Sequence, residues 1–218
     1  MAIILAILPP ILIAYYIYKK DVYEKEPKKL IFGCFLFGCV AILPALFIEL
    51  ALENSFTNIF LLSFFGIALV EEGVKYLFLK GYVYNKKDFN EPMDGIVYAV
   101  MISLGFAMVE NVMYVVNRPG MELTVAISRM FTAIPLHAVC GVILGYYVGL
   151  AKFSHGQNNL LFFKGLFFAT LVHAIYNYFL LLGYGIALSF IALIVAISFS
   201  KKAIKLHQED SKNRTFNK

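Results

Sequence analysis

The sequence predicts an all-α protein, a polytopic transmembrane helix bundle of about seven spans. Three observations carry that prediction. Hydrophobic residues make up 61% of the 218 residues and charged ones only 15%, against about 45–50% and about 25% in a soluble domain. The apolar residues collect in runs of about 20, the length a helix needs to cross a hydrocarbon core. Lysines and arginines stand mostly between the runs, and they favour alternate connections.

The runs are 2–18, 30–51, 59–79, 95–116, 124–150, 160–182 and 184–200. The first has no basic residues before it, and Lys19 and Lys20 follow it. That order argues against a cleaved signal peptide and for a first span that enters with its N-terminus outside. Pro9-Pro10 predicts a kink in it. The fifth run is long, and the stretch Thr124–Met130 ahead of Pro135 reads as a separate interfacial turn. Gly183-Tyr184-Gly185 divides the last two runs as a tight hairpin or as a break in one long helix. Residues 1–200 form one membrane domain, and 201–218 form a polar cytoplasmic tail, frayed or disordered.

Loop charges orient the bundle. Lys19, Lys20, Lys25, Lys28 and Lys29 precede the second span, and Lys80, Lys86 and Lys87 follow the third. Lys152 follows the fifth, and Lys201, Lys202, Lys205, Lys212, Arg214 and Lys218 lie in the tail. The connections between these contain Arg118 as their only basic residue. The alternation puts the N-terminus outside and the C-terminus in the cytoplasm. The net charge of +5 is therefore a matter of topology in a lipid bilayer, and no nucleic-acid partner is expected. Tyr15, Tyr16, Tyr18, Tyr82, Tyr84, Tyr146, Tyr147 and Tyr184 fall near span ends, as an interfacial belt does. Cys34, Cys39 and Cys140 lie inside apolar runs without metal or disulfide spacing and read as packing residues. No internal repeat is visible, which disfavours the inverted-repeat transporter folds.

The informative residues are the polar ones inside the spans. They are Glu71, Glu72 and Lys75 in the third, Glu110 and Asn111 in the fourth, His137 in the fifth, and His173 and Asn177 in the sixth. A charge at the bilayer centre is unfavourable by about 2.5–3.5 kcal/mol on insertion scales, and such groups face the bundle interior. At a rise of about 1.5 Å per residue, Glu71, Glu110, His137 and His173 reach similar depth on four helices. A shared, water-accessible pocket follows. Lys75 stands three and four residues after the glutamate pair, so it can neutralise one carboxylate on the same helix face. His173 and Asn177 also share a face. Singly, each of these has a structural reading: charge neutralisation for Glu-Lys, interhelical hydrogen bonding for His and Asn. Together they favour chemistry or proton movement. Glu49 and Arg129, near the outer ends of their runs, are expected to reach the headgroups. His155 and His207 read as solvated residues.

There is no His-Glu-x-x-His, no Gly-x-Ser-x-Gly and no pair of intramembrane aspartates. What remains is a carboxylate that activates water, with histidine and asparagine stabilising a tetrahedral intermediate. Glu71 or Glu72 is then the general base, Glu110 and His137 hold the water, His173 and Asn177 bind the oxyanion, and Lys75 tunes the pair. A proton-coupled transporter is the rival reading, since it too uses mid-membrane carboxylates and histidines. A non-catalytic scaffold is the second.

The motifs Glu71-Glu72-Gly-Val-Lys75, Asp94-Gly-Ile-Val-Tyr98, Gly105-Phe106-Ala-Met-Val-Glu110-Asn111, His137 and His173-Ala-Ile-Tyr-Asn177 resemble, in order, those of the PrsW family of glutamic-type intramembrane proteases. That family is related to CAAX prenyl proteases and bacteriocin-processing enzymes. The resemblance implies a protease of the bacterial cell membrane that makes the first cut in a single-span anti-sigma factor, on the extracytoplasmic side, during envelope stress. It implies catalytic roles for Glu71, Glu72, Glu110, His173 and Asn177, with Phe106 and Asn111 in support. In CAAX-type relatives the second motif ends in His where this chain has Glu110, and His137 is the residue that can supply the imidazole. A CAAX or peptide-pheromone processor is the alternative within the same class. No cofactor is expected; Glu72, Glu110, His137 and His173 are the donor set if Zn²⁺ is used.

Overall fold

The bundle is arranged around helix α5, Pro92–Val116, and its neighbour α7, Ala133–Phe153, which are its most buried helices. In the computed structural model, residues 1–154, 156, 158–183 and 185–216 are described. The other helices are α1 (Ala2–Lys20), α2 (Lys28–Leu52), α3 (Ile59–Leu61), α4 (Leu69–Tyr82), α6 (Glu122–Phe131), α8 (Asn158–Leu181) and α9 (Gly185–Phe216). A π-helical stretch, Leu62–Ala68, joins α3 to α4. Helices α1 and α2 flank α5, α8 flanks α7, and α9 packs against both α7 and α8. The all-α class holds, and the chain is a multi-pass membrane protein. Among the described residues five helices are long and apolar enough to cross a membrane, the fifth expected run being counted whole as Glu122–Phe153.

Two features explain why α5 and α7 can lie so close. A Cβ added to Gly95 would run into the carbonyl of Gly145, and one added to Gly145 would run into that of Gly95. Small residues let backbones approach in lipid, where dispersion replaces the hydrophobic drive between helices. The outer faces of α1, α2 and α8 carry exposed Leu12, Phe32, Leu43, Phe47, Leu50 and Phe163, as lipid-facing surfaces do. Cys34 and Cys140 are fully buried and all three cysteines are free, as packing residues would be.

The fifth run divides at Thr132 into α6 and α7, so the separate turn expected there exists and is an amphipathic helix. Helices α8 and α9 are distinct, and Gly183 between them has φ +74°, a turn conformation suited to glycine. His155 and Tyr184, read above as a loop residue and an interfacial tyrosine, lie outside the described residues. The frayed tail is not observed: α9 continues to Phe216. Nor is His207 solvated. It is fully buried, stacks on Tyr146 at 4.4 Å between ring centroids, and donates from Nε2 to the Tyr146 carbonyl at 2.9 Å. Gln208 donates to the Lys20 carbonyl, and the Met93 amide donates to the Ser211 hydroxyl at 3.3 Å. Composition alone suggested disorder; burial against the lysine-rich end of α1, α5 and α7 overrides it.

That end also holds four buried carboxyls, Asp21, Glu26, Glu91 and Asp94. Asp94 closes a capping box on α5, accepting from the amides of Asn90 at 2.7 Å and Glu91 at 2.8 Å, with Pro92 in the first turn. Asp21 lies beside Glu91, and Glu26 beside Asp94. Buried carboxyls so placed repel one another unless one of each pair keeps its proton. Burial raises Asp21 to about 6 and, with Asp94 beside each, Glu91 to about 8 and Glu26 to about 11. Lys25 beside Asp21 opposes the rise.

Two outcomes are expected. The folded state holds these protons more tightly than the unfolded chain, so their contribution is complete below the ordinary carboxylate range. It is lost as pH rises through about 6 for Asp21 and about 8 for Glu91. Hydrogen exchange over residues 21–27, corrected for intrinsic rate, should accelerate between about pH 6 and about pH 9, and Glu91→Gln should flatten that change. Separately, Gly145→Val should destabilise the solubilised protein by about 1–3 kcal/mol or more through overpacking, read as a lowered Tm.

Candidate active site

The site is built outward from Lys75. Glu71, Glu72 and Lys75 fall on one face of α4 because of their three- and four-residue spacing. The Lys75 Nζ donates to Glu71 Oε2 at 3.1 Å and to Glu72 Oε1 at 2.8 Å. It donates a third time, across to α7, at 3.0 Å from His137 Nδ1. It also lies 4.1 Å from the centroid of Phe106 on α5. Lys75 and Glu72 are almost completely buried. The π-helical turn before α4 takes one more residue per hydrogen bond than an α-turn, the Leu69 amide reaching back to the Phe64 carbonyl. Such turns are frequent beside functional sites.

The histidines extend this centre. Because an ammonium only donates, His137 Nδ1 must accept, so its proton sits on Nε2. Nε2 then donates to Glu110 Oε2 on α5 at 2.8 Å. Glu110 in turn pairs with Arg129 of α6 at 2.8 Å, and Arg129 Nε donates to Asn111 Oδ1 at 2.6 Å. The guanidinium lies 3.9 Å from the Tyr114 ring centroid. On the other side, His173 of α8 donates from Nδ1 to Glu72 Oε1 at 2.9 Å. That fixes the ring through Nδ1 and leaves Nε2 free of this contact, on a residue that lines the cavity. The two imidazoles meet edge to face with centroids 5.2 Å apart.

The geometry thus brings together every residue singled out from the sequence. Glu71, Phe106, Glu110, His137, His173 and Asn177 line one cavity of about 170 Å³. Glu72 and Lys75 stand directly behind it, and Asn111 is buried one bond further out through Arg129. Two residues were misread. Glu49 and Arg129 do not serve the headgroups: both line this cavity. Their closeness to the span ends was the misleading signal. The cue for Arg129 was an intramembrane acid, Glu110, without a partner on its own helix, since buried charges in membranes pair.

One carboxylate oxygen from each of Glu71 and Glu72 and one ring nitrogen from each of His137 and His173 all lie within 4.8 Å of one another. By donor type and spacing these four could hold a divalent metal. The Lys75 ammonium, within 3.1 Å of three of them, occupies the position such an ion would share.

Residues 26–200 match the model of the PrsW family intramembrane metalloprotease. The chain belongs to the PrsW family. Among its relatives, Protease PrsW of Geobacillus kaustophilus is 36% identical over 85% of this chain and 84% of its own length. Protease PrsW of Bacillus subtilis is 36% identical over 80% of each, and that of Clostridioides difficile is 30% identical over 94% and 90%. No solved structure matches. The protein is accordingly a membrane-embedded protease.

The PrsW site predicts an asymmetry. Arg129→Ala leaves Glu110 as an uncompensated charge and should destabilise by about 3–5 kcal/mol. Adding Glu110→Gln to it should recover much of that loss. Thermal unfolding of the two variants in detergent checks both.

Proposed function

We propose that this PrsW-family protease hydrolyses a peptide bond of a single-span membrane protein with water activated by Glu71, and that its substrate is an anti-sigma factor cut first on the extracytoplasmic side of the bacterial cell membrane. The observation that carries the reading is the single cavity onto which Glu71, His173 and Asn177 open, while Glu72 and Lys75 are sealed behind it. Of the two adjacent glutamates, Glu71 is the one that meets the cavity and therefore water. Glu72 is a positioning residue: it fixes the His173 ring through Nδ1, leaving Nε2 to accept from the same water.

The steps follow from these roles. Glu71 takes a proton as the water oxygen attacks the scissile carbonyl. The Asn177 amide donates to the oxyanion that forms. Collapse breaks the C–N bond, and the proton returns from Glu71 to the leaving amine. Lys75, by donating to Glu71, holds that carboxylate in place beside the cavity. The surrounding Ile42, Leu46, Leu136, Leu180 and Leu181 exclude bulk water, which strengthens each of these contacts.

A metal is compatible with the donor set Glu71, Glu72, His137 and His173 once Lys75 withdraws. When bound there it would polarise water or carbonyl as a Lewis acid. The lysine distribution supports an N-terminus-outside topology, which fits a cut on the outer face.

Cleavage of tagged single-span anti-sigma factors in proteoliposomes tests the reading. Glu71→Gln should lower the rate at least about 10²-fold, and His173→Ala should do so comparably; undiminished cleavage by Glu71→Gln would refute the assigned base. Metal content of the purified protein should rise in Lys75→Met relative to wild type if Lys75 and a metal compete for one position.

A further inference from the structure

The charges around the cavity do not balance. Glu71 and Glu72 pair with Lys75, and Glu110 pairs with Arg129. Glu49 is left over. It stands about one turn from the C-terminal end of α2, lines the same cavity, and its Oε1 is buried with no hydrogen-bond partner among the described residues. The charged groups acting on it are Glu71 and Glu110, which repel it, and Lys75, which is already committed to three acceptors. Four glutamates therefore share two fixed cations, Lys75 and Arg129, and Glu49 pairs with neither. A carboxylate in such a setting is strongly unfavourable as an unpaired charge, and a cation that enters the cavity finds a ready partner in it.

The surroundings of Glu49 suit one kind of cation. Ile42, Leu46, Met113 and Ile67 line the cavity beside it. An apolar wall ending in a carboxylate matches a long aliphatic stem ending in a charge, the form of lysine and arginine. Resting on the protease reading above, we propose that Glu49 is a specificity residue that receives a lysine or arginine side chain of the substrate. That side chain lies nearer the outer end of α2 than the scissile bond does, because Glu49 lies nearer that end than Glu71. The assignment has selective value. Basic residues are scarce on the outer flank of ordinary single-span proteins, so a basic residue there distinguishes a substrate from the bulk of membrane segments.

Binding measured without turnover separates this inference from the protease reading. Single-span peptides differing only in Arg, Gln or Glu at the outer flank are titrated into the His173→Ala protein in detergent micelles, with and without a second change at Glu49. The Arg peptide should bind at least about tenfold more tightly than the Gln peptide when Glu49 is present. Glu49→Gln should bring that ratio to about one, and Glu49→Arg should invert the order so that the Glu peptide binds best. Tm and circular dichroism of each variant confirm a folded protein. No Arg preference with Glu49 present, or a preference that survives Glu49→Gln, overturns the assignment. Charge-selective binding combined with no cleavage by the wild type upholds Glu49 and instead overturns the substrate class proposed above.

Discussion

Two adjacent carboxylates in a membrane interior are tolerable only if one cation serves both, and the Lys75 ammonium is that cation. From its position among Glu71, Glu72 and His137 the rest of the site follows. Its donation to His137 Nδ1 decides the tautomer, which in turn directs the Nε2 proton at Glu110. Glu110 draws Arg129 inward from α6. The other oxygen contact, Glu72 with His173, ties α8 to α4. A single buried charge thereby sets ring orientations on two further helices without any of them being exposed to solvent.

Such a network demands a rigid frame, because a buried polar group that loses its partner is left with its full desolvation penalty. The frame is the close α5–α7 pair. It carries Phe106, Glu110 and Asn111 on one helix and His137 on the other, and its glycine contact permits the approach. At the lysine-rich end, the buried carboxyls and the buried face of α9 close the same pair from below. The cavity lies toward the opposite end, bounded by α2, α4, α5, α6, α7 and α8. The helices around the cavity are thus stapled at one end and lined with ionisable groups at the other.

Much of the site was legible in the sequence because it obeys short-range geometry. Glu71, Glu72 and Lys75 lie within one helical turn, and the depth of His137, His173 and Glu110 follows from counting residues along spans. Glu49 and Arg129 were not legible, because depth says nothing about direction: a residue near a span end faces either headgroups or the bundle, and only the neighbouring helices decide. His207 failed for a related reason. The polar composition after Ser200 matches a solvated tail, yet α9 continues because Tyr146 and the end of α1 offer its face a partner. The π-helical turn before α4 has no cue in composition, since it arises from the packing of Leu62–Ala68 and not from residue type.

A double-mutant cycle on Lys75→Met and Glu72→Gln, read by thermal unfolding in detergent, tests the central role of Lys75 most directly. Lys75→Met strips both glutamates of their counter-charge and should destabilise by about 3–5 kcal/mol, whereas Glu72→Gln leaves Lys75 paired with Glu71 and should cost less. The double variant strands only Glu71 and should fall well short of the sum, with a coupling of at least about 2 kcal/mol. Strict additivity of the two losses would contradict the account, because Lys75 would then not be the charge on which the glutamate pair depends.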